Sequence, residues 1–142
     1  MHRTFLAFAL AGLTLMLAAC AQHQSTLYER LGGQTNIDAI VENFLYRVAD
    51  DTELVGFFAN TNIDKLAASL GSMICDVSGG PCHYEGPPMD RAHQHMGVKD
   101  RHFNRLVEHL DAALAAEGVA LNARNALLGQ LAPMYGDVMR YQ

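Results

Sequence analysis

Apolar residues recur at helical spacing along almost the whole chain, and this periodicity constrains the fold more than any other feature. In one segment the spacing is i, i+3, i+4, i+7, i+8 and i+11, which places a single stripe on one helix face. The members of this stripe are Ile37, Ile40, Val41, Phe44, Leu45 and Val48. We find no run that alternates apolar and polar residues as a half-buried strand does. The sequence therefore predicts an all-α protein.

Capping residues and glycines set the expected helix boundaries in the first half of the chain. A short helix over residues 25–31 is expected to end at Gly32-Gly33, and Thr35 opens a pattern that resembles a capping box. Asn62 is expected to cap a third helix, because its side chain can accept a hydrogen bond from the first turn. The apolar face of that helix carries Ile63, Leu66, Leu70, Met73, Ile74 and Val77.

The second half of the chain predicts three more helices. Residues 89–96 suggest a short helix that ends at Gly97, and Asp100 is expected to cap a long helix after it. Residues 123–140 form the last apolar stripe, which we expect to be kinked at Pro133 because proline removes one backbone hydrogen bond.

The first nineteen residues have the pattern of a secretory signal. Arg3 supplies a positive charge near the start, and residues 5–19 are then uncharged. This uncharged run is shorter than the roughly 20 residues of a comfortable membrane span. The run ends in Leu17-Ala18-Ala19-Cys20, which resembles a bacterial lipobox, where the cysteine is lipidated and everything before it is removed. An ordinary signal cut after Ala19 and a retained anchor helix remain alternatives.

The lipobox predicts how the chain is divided and where it is located. Residues 1–19 would be the lipoprotein signal peptide, 20–25 a tether, and 26–142 a single domain on the periplasmic side of a bacterial membrane. Residue 22 is glutamine rather than aspartate, which slightly favours the outer membrane. The membrane is then a partner only through the lipid on Cys20.

Charge and cysteine content exclude some classes of function. With 142 residues and a net charge of −5, the chain is one domain without the basic patch of a nucleic-acid binder. Its three cysteines are too few for a disulfide-built scaffold. Cys75 and Cys82 could form a disulfide in an oxidising compartment, although Cys75 lies about 150° from the centre of its apolar stripe. Two free thiols are the alternative.

Among the seven histidines, His93 is the best candidate for chemistry. Met89, His93 and Met96 share one face of the short helix, so His93 projects from the apolar side while His95 points elsewhere. A histidine on such a face is more often a hydrogen-bonded core residue than a ligand. A zinc site is the other metal-binding alternative, with candidate ligands Cys82, His83, His93 and His95. Their spacing matches no usual finger or zincin pattern.

Several short motifs, taken in order, resemble the group 1 truncated haemoglobins, small globins with a two-on-two helical sandwich. They are LYERLGG at 27–33, FF at 57–58, GGP at 79–81, YEGPPM at 84–89, His93, HF at 102–103 and HLDAAL at 109–114. Each motif is weak alone, but their order and spacing together cover nearly the whole of residues 26–138. We therefore expect a globin-like fold. Without this resemblance, the residue pattern by itself does not demand a cofactor.

The resemblance implies haem b between the third helix and the short helix. His93 would be the proximal metal ligand, with its other ring nitrogen donating to a backbone carbonyl or a water. Phe58 would pack on the haem face, and Tyr84, Met89 and Phe103 would line the pocket. Tyr84 could also meet a haem propionate.

The distal side departs from the family. The positions that usually carry a tyrosine and polar or glutamine side chains are here Leu45, Leu66 and Leu70, which we include among the cofactor-binding residues. Tyr46 comes one residue too late and should be turned away by about 100°. Ser69 stands where some members place a second ligating histidine.

The leading interpretation is a haem protein that reversibly binds oxygen, CO or NO. A nitric oxide dioxygenase or a peroxidase-like enzyme is the alternative, and a haem-free helical interaction module is a third class. We assign no catalytic residue, and distal leucines argue against the dioxygenase because oxygen must be held and polarised before it reacts. An electron donor is a further possible partner that the sequence does not identify.

Overall fold

The computed structural model describes residues 25–142 of the chain, which fold into helices without any strand, as predicted. The α-helices are α1 (Leu27–Arg30), α2 (Gly33–Ala49), α3 (Ile63–Val77), α4 (Met89–Ala92), α5 (Asp100–Ala116), α6 (Leu121–Leu131) and α7 (Tyr135–Val138). Short 3₁₀ turns occupy Val55–Phe58 and Ala132–Met134. Cys20 and the proposed signal peptide lie outside the described residues.

The long helices form two packed pairs. Helix α2 packs on α3 and also on α5, while α6 contacts both α5 and α3. Their shared core is fully apolar and consists of Leu31, Ile37, Ile40, Val41, Ile74, Cys75, Ala113, Leu114, Val119, Ala123 and Leu127. Within the described residues, no helix is long and apolar enough to cross a lipid bilayer.

Tyr28 fastens the start of α2 to the end of α3. Its backbone N–H donates to the carbonyl of Ser78 at 2.9 Å, and its hydroxyl accepts from the backbone N–H of Gln34 at 2.9 Å. Gly80 lies against the Tyr28 ring so closely that a Cβ there would come within 2.5 Å of it. Gly80 is therefore required by packing, and Gly79, at φ 78°, by the turn.

A disulfide joins Cys75 in α3 to Cys82 in the following loop, with the two Cα atoms 5.8 Å apart. Cys75 is fully buried, although its angle from the apolar stripe did not mark it as a core residue. The reason is that α3 is covered on two sides, since α2 packs on one side and the Tyr28–Gly80 contact covers the C-terminal end. Conversely, Ile63 begins the predicted apolar stripe but is 47% exposed.

Several predicted boundaries move by a few residues. Helix α2 begins at Gly33, with Gly32 in the left-handed conformation at φ 94°, so Thr35 lies inside the helix and caps nothing. Asn62 does cap α3, accepting from the backbone N–H of Lys65 at 2.9 Å. Lys99, not Asp100, is the N-cap of α5, because its backbone is extended while Asp100 is already the first helical residue. The Asp100 side chain accepts from the Tyr135 hydroxyl instead.

Two predictions for the second half of the chain, the kink at Pro133 and the short helix at residues 89–96, have different outcomes. The expected kink at Pro133 is confirmed, since a 3₁₀ turn separates α6 from α7 there. Helix α4, however, has only four residues and ends at Ala92, so His93 is its C-cap rather than a residue in mid-helix.

Candidate functional site

A cavity of about 420 Å³ separates α3 from α4 and the loop before it. Among the predicted site residues, five line it: Leu66, Leu70, Tyr84, Met89 and His93. The sequence analysis did not assign to the site the other lining residues, which are Thr61, Asn62, Lys65, Ser69, Met73, Pro87 and Ala92. Residues 66, 69, 70 and 73 recur at helical spacing, and that spacing was the available signal for Met73.

The backbone carbonyl of Met89 fixes the neutral His93 ring in one tautomer. Its Nδ1 lies 2.9 Å from the carbonyl oxygen of Met89, and a carbonyl can only accept, so Nδ1 carries the proton. The lone pair is then on Nε2. A neutral imidazole with this arrangement is a ready metal ligand.

The approach to α4 is stiffened by prolines and by a close aromatic contact. Pro88 is the N-cap of α4, and its carbonyl accepts from the backbone N–H groups of Arg91 and Ala92. The Tyr84 ring covers Gly86, where a Cβ would come within 2.2 Å of the ring. The Tyr84 hydroxyl donates to the carbonyl of Pro87 at 3.1 Å, which holds the ring at the mouth of the cavity.

Polar and apolar side chains of α3 both line the cavity, whose walls are mostly apolar. Lys65 is exposed and Ser69 is half-buried, and both belong to α3 one turn apart. Leu66 and Leu70, on the same helix, present hydrocarbon to the cavity. This division suits a flat apolar ligand with anionic groups at one edge.

Leu45 and Phe58 line a different cavity. It has a volume of about 750 Å³ and lies among α2, α3 and the first 3₁₀ turn. Tyr46 is also at its edge and is 67% exposed, which agrees with the expectation that it turns away from the core. The structure therefore separates Leu45 and Phe58 from the five residues around the His93 cavity.

Phe103, the eighth predicted residue, packs edge-on against Tyr135 with ring centroids 5.0 Å apart. Tyr135 donates its hydroxyl proton to Asp100 at 2.8 Å, and this hydrogen bond raises the pKa of Tyr135. This pair joins α5 to α7.

The zinc alternative is not supported. Cys82 is bonded to Cys75, and within residues 25–142 no group of three or more His, Cys, Asp or Glu side chains could hold a metal ion. His95 and His83 are exposed.

The buried Asp51 is the centre of a polar cluster that sequence reasoning missed. Its carboxylate accepts hydrogen bonds from His109 Nε2 at 2.6 Å, from Arg105 Nε and from the backbone N–H of Glu53 at 2.9 Å. The hydrogen bond from His109 is the largest cause that lowers the pKa of Asp51 from 3.8 to about 2, against an opposing effect of burial. The cluster joins the end of α2 to α5 and lies outside both cavities.

Comparisons with known proteins give a consistent result. The bacterial-like globin family matches residues 26–140. A group 1 truncated haemoglobin of Mycolicibacterium paratuberculosis is 36% identical over 114 residues, covering 80% of this chain and 84% of the relative. A group 1 truncated haemoglobin of a Nostoc species is 33% identical over 115 residues, covering 81% of this chain and 98% of the relative.

Solved structures agree. The truncated haemoglobin of Tetrahymena pyriformis in the Fe(III) form superposes with a TM-score of 0.77 at 32% identity, covering 80% of this chain and 97% of that one. A 2/2 haemoglobin of a Synechococcus species, whose structure has covalently attached haem, gives the same TM-score at 28% identity, covering 82% and 99%.

Proposed function

This chain belongs to the bacterial-like globin family, among the truncated haemoglobins, and from that premise we propose that it binds haem b through His93 and reversibly holds a diatomic gas on the opposite face. The observation that carries the proposal is the hydrogen bond from His93 Nδ1 to the carbonyl of Met89. It leaves Nε2 as the free nitrogen beside an apolar cavity, which is what an axial haem ligand needs.

The residues around the cavity fit this cofactor. Leu66, Leu70 and Met89 offer hydrocarbon to the porphyrin, and burial of such apolar surface is the main source of binding energy. Lys65, an exposed residue that lines the cavity, would neutralise the propionates, and Tyr84 lines the same cavity. When bound, the haem supplies an iron atom that can take oxygen, CO or NO as a ligand.

The side chains opposite His93 determine which gas is favoured. Oxygen acquires partial negative charge on binding and gains from a hydrogen-bond donor, whereas CO stays nearly neutral and gains little. Leu66 and Leu70 have no donor, and Tyr46 is turned toward solvent. We therefore propose a preference for CO and NO over oxygen. The same leucines disfavour a nitric oxide dioxygenase, which must hold and polarise oxygen before it reacts.

Absorbance spectra of the purified protein test the cofactor and its ligand. We expect a Soret band that shifts on reduction and again with CO. His93→Ala should lose haem or bind it weakly until imidazole is added, because imidazole can replace the missing ligand. His95→Ala is the control and should keep the native spectrum, since His95 is exposed. A native spectrum in His93→Ala would overturn the assignment, and a protein without a Soret band would instead support the haem-free interaction module.

We also propose that lipid on Cys20 anchors the domain at the periplasmic side of the membrane. The support is the lipobox pattern in the sequence, which lies outside the described residues. Cys20→Ala should release the protein into the soluble fraction and abolish fatty-acid labelling, while the matched change Ala21→Ser should not. Labelling that persists in Cys20→Ala would refute the anchor.

A further inference from the structure

The segment that follows His93 is held by two residues from beyond α7. The side-chain amide of Gln142 donates to the carbonyl of His93 at 2.8 Å, and its Oε1 accepts from the backbone N–H of Val98 at 2.9 Å. The carbonyl of Tyr141 accepts from the backbone N–H of His95 at 2.9 Å. Three hydrogen bonds therefore fix the backbone of residues 93–98 from one side.

This support matters because α4 is too short to hold its last residue by itself. It has four residues, and His93 is its C-cap, with a backbone N–H that donates to Met89 at a long 3.2 Å. The last carbonyls of a helix have no intrahelical partner. Apart from Gln142, the carbonyl of His93 accepts only from the backbone N–H of Met96, at 3.4 Å, among the described residues.

The backbone two residues further on is strained. His95 has φ 60°, the left-handed region that non-glycine residues rarely adopt. Such a conformation persists only where the surroundings enforce it, and the hydrogen bond to Tyr141 does so here. Without the contacts from Tyr141 and Gln142, we expect the backbone of the turn after His93 to move to a less strained conformation.

We propose that Gln142 is a positioning residue for the axial histidine: by holding the His93 carbonyl and the Val98 amide, it fixes the imidazole against the haem. The proposal rests on the proposed function, in which His93 binds the iron. The ring orientation is set at two points, by the Nδ1 hydrogen bond to Met89 and by the backbone of His93 itself. Gln142 controls the second point.

The test is resonance Raman spectroscopy of the ferrous, ligand-free, haem-loaded protein, in which the iron–histidine stretching band reports the imidazole directly. In Gln142→Ala the band should broaden and move to lower frequency, because a loosened His93 weakens its hydrogen bond to Met89. Haem transfer to an acceptor apoglobin should also be about two- to tenfold faster, because one of the three lost hydrogen bonds, that to the His93 carbonyl, acts directly on the axial residue. Gln130→Ala, an exposed glutamine on α6, is the matched control and should change neither quantity.

A conservative variant separates the two functions of the side chain. Gln142→Glu keeps an acceptor for Val98 but loses the donors to the carbonyls of His93 and Val138. We expect its band to shift in the same direction as that of Gln142→Ala, because the carbonyl of His93 is no longer held. A native band in Gln142→Glu would refute the proposal, and the near-identical shape of the two side chains excludes a packing explanation.

The His93→Ala spectrum distinguishes failure of this proposal from failure of the proposed function. If the iron–histidine band persists in His93→Ala, then the axial assignment itself is wrong. If His93→Ala abolishes the band while Gln142→Ala keeps its native frequency and width, His93 is the ligand and only the positioning proposal is overturned.

Discussion

Asp51 shows how one buried carboxylate determines the acid sensitivity of the molecule. Only 2% of its side chain is exposed, and its partners are His109, Arg105 and the backbone of Glu53. A carboxyl whose pKa falls from 3.8 to about 2 on folding stabilises the protein above the unfolded-state value. That contribution is lost as the pH falls from about 4 through about 2.

Asp51→Asn should therefore lower the urea midpoint at pH 7 and reduce the loss of stability between pH 4 and pH 2. The amide leaves Arg105 and His109 without their anion. Asp51→Asn should therefore destabilise the protein more at pH 7 than at pH 2. Asp50→Asn changes the exposed neighbouring carboxylate and should leave the midpoint close to that of the natural sequence. Equal midpoints for Asp51→Asn and the natural sequence at pH 7 would contradict the prediction.

Leu70 is the residue at which the proposed gas preference can be reversed. It lines the same cavity as His93, so a polar side chain there can reach a bound gas. Leu70→Gln should slow oxygen release by about ten- to a hundredfold, because it restores a donor to a partly charged ligand. CO release should change little. Stopped-flow measurement of oxygen and CO release checks this prediction, with Tyr46→Phe, a change at an exposed residue, as the control. If the natural protein releases oxygen slowly and Tyr46→Phe makes that release fast, then the register assigned to α2 is wrong.

Gly80 is required by close packing. A Cβ there would come within 2.5 Å of the Tyr28 ring and 2.9 Å of the Cys75 carbonyl oxygen. Gly80→Ala should cost about 1–3 kcal/mol in the free energy of unfolding. Gly129→Ala, in α6 with nothing within 4 Å of the added Cβ, should instead gain about 0.5–1 kcal/mol. Denaturant unfolding of both variants measures the difference, and equal effects would refute this account.

At the scale of the element, the disulfide ties the end of α3 to the loop that leads into the His93 cavity. Cys75 and Cys82 are seven residues apart, so the bond closes a short loop. Replacing both by serine should lower the free energy of unfolding by about 2 kcal/mol, because the unfolded chain regains the entropy of that loop.

Two measurements check this prediction. Reducing agent should destabilise the natural protein and leave the double serine variant unaffected. Thiol titration of the unfolded, unreduced domain lacking Cys20 should give no reactive thiol, and two per chain would exclude the bond.

At the scale of the whole molecule, the His93 side of the site lies apart from the apolar core, whereas Leu70 on the α3 side packs against that core. Within the described residues, the core cluster and the hydrophobics packed on it take no member from residues 83–109. Helix α4 and its flanking loops therefore depend on hydrogen bonds, including those from Tyr141 and Gln142, and, in our proposal, on haem.

Removal of haem should loosen residues 83–99 while the core of α2, α5 and α6 stays folded. A region with few buried apolar contacts opens more easily than a core helix. Hydrogen exchange of the haem-free and haem-loaded proteins should show protection lost first around Met89 and His93 and retained at Ile40 and Leu114. Uniform loss of protection would show that the two parts unfold together.

The sequence by itself determined the helical class and most of the element order. Helix periodicity, the Asn62 cap and the Pro133 break are local signals, since each depends on residues within a few positions of one another. His93 was singled out by its place on an apolar face and by the motifs around it. That assignment drew on motifs spread over residues 27–114, because each motif is weak alone.

The tertiary structure decided which distant residues meet. Asp51 lies 54 positions from Arg105, and His93 lies 49 positions from Gln142, so no local pattern could pair them. Leu45 and Leu70 each lie on the apolar face predicted for their helix, yet they line different cavities. The packing of the helices sets which face meets which neighbour. Periodicity tells which side of a helix is apolar, and only the packing of all the helices tells what that side touches.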